Sequence, residues 1–197
     1  MRRITREETP EFWSKSIRKY RNYDDLENSE AGRELRGMLR RHLIMLQGGL
    51  CAYCCKEIAD ENSLNEHIKP RSTFPDLSLD YDNLVASCIT ANTCGSKKGN
   101  AYRELFISPL DEHCEDHFKY TPDGSIVGTT TSGVYTCDLL NLNAYELKQA
   151  RKAVIKICRS YHNKDNVMNY YLHDQDTGNL RPFSDVIEYY CNTDFLI

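Results

Sequence analysis

Apolar residues recur at helical spacing in several stretches of the chain. Residues 30–47 carry an apolar side chain every three or four positions, and Gly48 and Gly49 follow, as expected at a helix end. A second helix is predicted from Asn143, which starts a capping-box-like Asn-Ala-Tyr-Glu sequence, to about His162. Its predicted inward side chains are Leu147, Ala150, Val154, Ile157 and Tyr161. Shorter helices are predicted at about 166–173 and after Pro182.

Strand-like patterns are short and few. Residues 63–68 alternate enough to predict a strand that Pro70 ends. Residues 118–127 predict a hairpin that turns at Pro122-Asp123-Gly124. The predicted fold class is therefore α+β and mostly helical, and 197 residues suffice for one sizeable core, or one core with a satellite.

The charge balance limits the kinds of partner. The formal net charge is −4, with a sequence pI of about 5.9, whereas a stand-alone DNA-binding domain is normally basic. No apolar run approaches the length of a membrane span, and the charged start has no signal-peptide core. We therefore expect a cytoplasmic protein with no membrane contact, and the overall charge does not favour unaided binding to nucleic acid.

Four cysteines have the spacing of a zinc site. Cys51 and Cys54 enclose two residues, which lets two thiolates reach one tetrahedral ion, and Cys88 and Cys94 form a looser downstream pair. Cys55 is a competing ligand, and unrelated buried thiols are the alternative, since a free cysteine packs like a small hydrophobe. Four thiolates would leave no open position on the ion, so its role would be structural.

Glu66 and His67 lie between the two cysteine pairs. On a strand they point to opposite sides, but near its frayed end both can approach one metal ion or one phosphate. A neutral imidazole suits a general base, and a carboxylate suits Mg²⁺. The Asn83 amide would brace the following loop or fix the imidazole ring. The alternative is a structural histidine on a half-buried strand.

Several motifs together resemble one family. They are Cys-x-x-Cys at 51–54, Glu-His-Ile-x-Pro-Arg-Ser at 66–72, Tyr-Asp-Asn-Leu at 81–84, and Cys-Gly-x-Lys-Lys-Gly at 94–99. This series resembles the HNH endonuclease family. More narrowly, the flanking sequences resemble the PtuB branch of that family, the HNH subunits of Septu and retron-associated anti-phage defence systems.

The resemblance implies a ββα-metal (His-Me finger) core at residues 51–107, stapled by a zinc site of four cysteines. A helical region at 1–50 and a hairpin with helices at 108–197 would complete one compact unit. His67 matches the general base, Glu66 the metal ligand and Asn83 the middle asparagine. The third signature residue should fall near Gly95-Ser96-Lys97, which has neither His nor Asn. Asn92, Asn100 or a water would then substitute.

The implied function is metal-dependent hydrolysis of nucleic-acid phosphodiester bonds, with DNA favoured and RNA possible. Zinc would be structural, Mg²⁺ or Mn²⁺ catalytic, and Arg71, Lys97 and Lys98 would bind phosphates. The implied partner is a PtuA-like ABC ATPase, and in retrons also a reverse transcriptase and its msDNA. A non-catalytic zinc-ribbon scaffold is the alternative: the missing third signature residue favours it, and the Glu66-His67 pair disfavours it.

Three further patterns carry two interpretations each. Arginines and lysines in residues 2–41 form a phosphate-facing surface or a solvated face. Aromatic residues near the C-terminus form core or a partner surface; they are Tyr170, Tyr171, Phe183, Tyr189, Tyr190 and Phe195. Cys114 between His113 and His117 is a second metal site or, as is common in polar loops, binds nothing.

Overall fold

The computed structural model describes residues 1–161 and 163–193, so His162 and Phe195 lie outside the described residues. Within these ranges the α+β prediction is confirmed: seven helices surround two small sheets. The helices are α1 Glu11–Ser16, α2 Glu30–Leu46, α3 Cys94–Lys98, α4 Thr131–Leu139, α5 Tyr145–Ser160, α6 Lys164–Tyr170 and α7 Ser184–Asn192. The strands are β1 Ser63–His67, β2 Leu84–Cys88, β3 Phe118–Tyr120 and β4 Ile126–Gly128.

Helix α2 forms as its sequence predicts. The Ser29 hydroxyl accepts a hydrogen bond from Gly32 N, which satisfies one free donor of the first turn. Leu35, Leu39 and Leu43 are buried on one face. After the helix, Gln47 donates from its amide to Ala86 O and accepts from Ala86 N, so the end of α2 is fixed to β2.

The β1–β2 hairpin determines where the chemistry lies. The two strands are antiparallel, and the register pairs Ser63 with Cys88 and His67 with Leu84. All five residues of β2 are buried, because the strand lies between α2 and α3. Cys88 therefore lies at one end of the hairpin and His67 at the other.

The C-terminal half contains a helix that the sequence pattern did not predict. The predicted hairpin is confirmed as β3–β4, and α4 packs against β4. Thr130 caps α4 by accepting from Gly133 N. The helix is short, and its apolar residues are scattered around it, so no amphipathic stripe marks it.

The prediction for α5 was wrong in two details. Asn143 does not cap it; its amide bonds both N and O of Ile126 and so pairs with β4, and the helix begins at Tyr145. Ile157 is 41% exposed, whereas Arg151 is buried because its guanidinium donates to Gly124 O and Leu142 O. The buried face is Leu147, Arg151, Val154, Ile155 and Cys158.

The described C-terminal aromatics are divided between core and surface. Phe183 is buried, and Tyr189 packs edge-on against Tyr120 at 5.3 Å between ring centroids. Tyr170 is 63% exposed. Among the described residues, no helix is both long enough and apolar enough to span a bilayer.

Candidate zinc centre and active-site cleft

The four predicted cysteines meet at one point. The Sγ atoms of Cys51, Cys54, Cys88 and Cys94 all lie within 4.8 Å of one another, and all four residues are buried. The loop after α2 supplies the first two, the end of β2 the third, and the start of α3 the fourth. Cys94 adopts φ +51°, and its N–H donates to Leu140 O.

The geometry of this cluster fits zinc. A Zn–S bond of about 2.3 Å in a tetrahedron requires sulfur atoms about 3.8 Å apart, and the Cys54 and Cys88 sulfurs are 3.9 Å apart. Hydrogen bonds within the cluster lower the pKa of Cys88, which favours a thiolate there, while the same contacts raise the pKa of Cys54 and Cys94. Cys88 N donates to Cys51 Sγ, a contact that stabilises a thiolate there.

The other candidate ligands lie elsewhere. Cys55 follows Cys54 but does not belong to the cluster, and burial raises the pKa of its thiol. Cys114 is buried, whereas His113 is exposed to solvent. Within residues 1–161 and 163–193, the four-cysteine cluster is the one group of at least three such ligands that could hold an ion.

His67 has one ring nitrogen engaged. Its Nε2 lies 2.9 Å from Ser78 O, and because a carbonyl can only accept, Nε2 carries the proton in the neutral ring. The Nδ1 lone pair is then available as a base. Burial lowers the pKa of His67, the hydrogen bond to Ser78 O offsets part of that shift, and the positive charges of Arg71 and Lys98 lower the pKa further. The ring is therefore neutral at physiological pH, as a general base requires.

Glu66 points to the other side of β1 and meets Lys98. The Lys98 ammonium donates to Glu66 Oε1 and to His67 O, both at 2.8 Å. The Lys98 side chain is 1% exposed and that of Glu66 is 12% exposed. Burial raises the pKa of Glu66, and the Lys98 charge offsets part of that shift. Lys98 thus has a buried role that the sequence did not predict, and direct phosphate binding by it stays a prediction.

Gly95 occupies the neighbourhood expected for the third signature residue. A Cβ built on Gly95 would lie 2.8 Å from Glu66 Oε2, so any side chain there would press on the carboxylate. Of the two proposed substitutes, Asn100 lines the same cleft as Glu66 and His67, whereas Asn92 lines a different groove beside Tyr145.

Asn83 braces the loop after β1. Its side-chain oxygen accepts from Lys69 N at 2.7 Å, and its amide donates to Lys69 O and Leu77 O at 3.0 Å. The adjacent Ser78 supplies the carbonyl that orients His67. Asn83 therefore acts on the loop that holds the ring and does not bond the ring itself.

A cleft of about 290 Å³ opens beside His67. Its polar lining is Tyr23, Arg36, Arg40, Asn65, Glu66, His67, Arg71 and Asn100. The predicted phosphate ligand Arg71 thus faces the same space as the imidazole, while Lys97 is exposed on α3 and lies outside this lining. The cleft carries three cations and one carboxylate, which suits an anionic substrate.

The sequence argument missed Tyr23, Arg36 and Arg40 as members of this site. They lie more than 25 positions before His67, and they reach it because α2 and the turn before it pack on the β1–β2 hairpin. The basic face of α2 was the one available signal, since Arg36 and Arg40 are one helical turn apart.

The residues of the cleft fit a divalent ion bound mainly through the substrate. Mg²⁺ usually takes one or two carboxylates together with phosphate oxygens and waters. Glu66 supplies the carboxylate, Asn100 lines the cleft with an amide, and Oε1 of Glu66 is the oxygen that Lys98 occupies.

Two known proteins are similar to the chain, although no protein-family model matches it. One is named "Retron Vc95 putative HNH endonuclease", from Vibrio cholerae serotype O1 biovar El Tor. It is 34% identical over 154 residues, which cover 68% of this chain and 74% of that protein. The other is the Septu protein PtuB of Bacillus thuringiensis, 30% identical over 105 residues. That match covers 51% of this chain and 39% of the relative's length.

Proposed function

The chain belongs to the HNH endonuclease family, close to PtuB, and from that membership we propose that it hydrolyses phosphodiester bonds of nucleic acid as the effector of an anti-phage defence complex. The observation that carries the proposal is His67: a neutral, oriented imidazole with a free Nδ1, facing a cleft with three arginines. DNA is the favoured substrate.

The fold assignment follows from the same membership. We propose that β1, β2 and α3 form a ββα-metal core within residues 51–107. Residues 1–50 and 108–197 would form one compact unit with it. Zinc in the Cys51, Cys54, Cys88 and Cys94 cluster would fix the core, since the four sulfurs have the spacing of a closed tetrahedral site.

In the proposed mechanism, His67 Nδ1 takes a proton from the attacking water. Ser78 O keeps the ring in the tautomer that has its lone pair on Nδ1, and Asn83 holds the loop that contains Ser78. Glu66, with help from Asn100, would hold a Mg²⁺ or Mn²⁺ ion, which would supply positive charge to offset the negative charge that develops on the phosphate and on the departing 3′ oxygen. Arg71 neutralises substrate charge at the mouth of the cleft.

We also propose a partner that delivers the substrate. The relatives are named as a retron protein and a Septu protein, which supports a multi-subunit defence system. A PtuA-like ABC ATPase fits the net charge of −4, because the chain itself lacks the general basic excess of a DNA-binding domain. In a retron, a reverse transcriptase and its msDNA would join them.

A non-catalytic zinc scaffold is the second candidate. The Lys98 ammonium on Glu66 and the glycine at position 95 favour it, because both reduce the ligands available to a catalytic ion. The free Nδ1 of His67 and the arginine-lined cleft favour the enzyme.

The deciding experiment measures plasmid and tRNA cleavage by the chain co-purified with its neighbouring-gene partner, with Mg²⁺ or Mn²⁺ present. His67→Ala should lower cleavage by about 10²–10⁴-fold, because Ala cannot accept a proton from water. His113→Ala, at an exposed histidine outside the cleft lining, is the matched control and should cut normally. Full cleavage or full phage protection by a folded, partner-bound His67→Ala variant would overturn the enzyme in favour of the scaffold.

A further inference from the structure

The aromatic ring of Tyr23 connects several of the residues that line the cleft. The Tyr23 ring is 4% exposed and meets the His67 ring edge-on, with 4.7 Å between centroids. The Arg36 guanidinium lies 5.2 Å from the Tyr23 ring centroid, and the Arg71 guanidinium lies 5.6 Å from it. One aromatic ring therefore contacts the proposed base and two cations.

Both guanidiniums are held by replaceable partners. Arg36 pairs with Glu27 at 2.7 Å, and Arg71 pairs with Asp24. The Glu27 side chain is 53% exposed and that of Asp24 is 70% exposed, so these ion pairs are weak and water competes for them. A phosphate group that contacts both arginines can replace these carboxylates with little loss of interaction free energy.

Arg36 also has unused hydrogen-bonding capacity. Its Nε is buried and has no hydrogen-bond partner among the described residues. A buried guanidinium N–H without a partner is costly, so a movement of the Arg36 guanidinium from Glu27 onto a phosphate that also bonds Nε would remove this cost. The planar fork of arginine matches the oxygens of a phosphate.

From these contacts we propose that Arg36 and Arg71, both stacked on Tyr23, form a phosphate clamp. The clamp binds backbone phosphates of the nucleic acid next to the phosphate that His67 addresses. Glu27 and Asp24 hold the two arginines in place until the substrate replaces them. The clamp rests on the proposed nuclease function and assigns part of the substrate path to α2 and the turn before it.

The clamp would bind backbone phosphates, which DNA and RNA share, so its test uses two nucleic-acid probes. They are a fluorescein-labelled DNA duplex and a single-stranded RNA, and binding to the full chain is followed by anisotropy without added divalent ion. Arg36→Gln and Arg71→Gln should each weaken binding about five- to tenfold. Each should also lower the slope of log K against log salt by about 0.9 for the duplex or about 0.7 for the single strand.

The matched control is Arg33→Gln. Arg33 lies on the same helix, carries the same charge and is exposed outside the cleft lining. Its guanidinium donates to the backbone oxygen of Glu27, whereas the Glu27 carboxylate pairs with Arg36. Arg33→Gln should leave affinity and salt slope unchanged. Equal losses from Arg33→Gln and Arg36→Gln would mean that general charge, and not a clamp, attracts the probe, and this outcome overturns the proposal.

Asp24→Asn and Glu27→Gln test the replacement step. Each frees one arginine from its carboxylate, so each should tighten binding about two- to fivefold while the zinc content stays the same. A purely structural role for the ion pairs predicts weaker or unchanged binding, and either result overturns the proposal. Absence of saturable binding of both probes at low salt overturns it as well.

The same proteins separate this proposal from the nuclease function. If the wild-type protein cuts nothing with Mg²⁺ added, but Arg36→Gln and Arg71→Gln still weaken binding, the phosphate clamp is supported and the nuclease assignment is wrong. If the wild-type protein cuts nucleic acid, but both variants bind the probes as tightly as the wild type, only the clamp proposal is wrong.

Discussion

At the scale of single residues, the cleft depends on Tyr23, which supports His67, Arg36 and Arg71 with one ring. Its hydroxyl accepts a hydrogen bond from Asn65 at 2.8 Å, and Asn65 also donates to Arg36 O at 3.0 Å. A cation against an aromatic face contributes about 0.5–1 kcal/mol at an exposed site, and more when water is excluded. The ring and the hydroxyl therefore have separable roles.

Tyr23→Leu should weaken nucleic-acid binding and cleavage together, because both guanidiniums and the imidazole lose their aromatic contact. Tyr23→Phe keeps the ring and should retain most of both, at the expense of about 1 kcal/mol of stability for the lost hydrogen bond. Anisotropy and cleavage rates on the two variants measure the difference. Equal behaviour of the Phe and Leu variants would contradict a role for the ring.

The Lys98–Glu66 pair gives a second residue-scale prediction. Lys98→Met leaves a buried carboxylate without its cation and should lower the free energy of unfolding by about 3–5 kcal/mol. Lys97→Met removes the same charge from an exposed position and should change stability by less than about 0.5 kcal/mol. Denaturant titration at fixed zinc measures both.

The double variant Glu66→Gln with Lys98→Met sharpens that prediction. It removes both charges, so it should be more stable than Lys98→Met alone. If the double variant is the less stable of the two, the buried pair is not what Lys98 contributes.

What could be predicted at this scale was the chemistry that spacing encodes. The meeting of the four cysteines was predictable from their spacing, and Glu66 and His67 are neighbours in the sequence. The roles of these residues as metal ligands and as a base stay predictions. The pairing of Lys98 with Glu66 was not predictable, because the adjacent Lys97 is also a lysine. The two differ only in the side of α3 from which the side chain extends, so that Lys98 is buried and Lys97 is exposed.

At the scale of elements, the β3–β4 turn packs closely on α5. Gly124 has φ +85°, and a Cβ on it would overlap Lys148 O and lie 2.9 Å from Lys152 N. The Arg151 guanidinium reaches from the same helix to Gly124 O at 2.7 Å. Close approach and left-handed backbone both require glycine there.

Gly124→Ala should therefore separate the turn from the helix and lower the free energy of unfolding by well over the roughly 1–2 kcal/mol that a left-handed alanine costs. Gly178→Ala is the matched control: Gly178 has φ +72°, but a Cβ on it would meet nothing within 4 Å. The difference between the two variants in thermal unfolding measures the clash alone. Equal losses would mean that backbone strain is the whole effect.

Elements with a strong apolar stripe were predictable, and elements held by tertiary hydrogen bonds were not. Helix α2 matches its pattern because Leu35, Leu39 and Leu43 form an apolar face that packs into the core. Helix α5 departs from its pattern because Asn143 pairs with Ile126 and Arg151 turns inward toward carbonyl groups. Hydropathy alone predicts neither contact, since both residues are polar.

At the scale of the whole molecule, the four-cysteine cluster joins three separate parts of the chain. The purified protein should carry one Zn²⁺, and Cys54→Ser should fail to fold, because structural zinc in small peptides contributes on the order of 10–16 kcal/mol. Cys191→Ser, at a partly exposed cysteine outside the cluster, should keep its zinc. Elemental analysis that finds no zinc in folded wild-type protein would contradict the site.

The cleft itself could not be predicted from sequence. It forms where the turn containing Tyr23 and one face of α2 pack against β1. Because these elements are distant from β1 in the sequence, the sequence pattern does not indicate that they meet. The hairpin chemistry was local and readable, whereas the surface that surrounds it depends on how distant elements pack.

The hairpin register has a genetic consequence. Cys88 and His67 lie at opposite ends of five-residue strands, roughly 14 Å apart along the strand direction at 3.4 Å per residue. A substitution at the His67 end should therefore yield a folded protein that still joins the proposed complex. A substitution at the cysteine end should prevent folding, so no variant protein would compete with the wild-type chain for a place in the complex. In cells that also carry the wild-type allele, His67→Ala should be dominant-negative for phage resistance, while Cys54→Ser should be recessive.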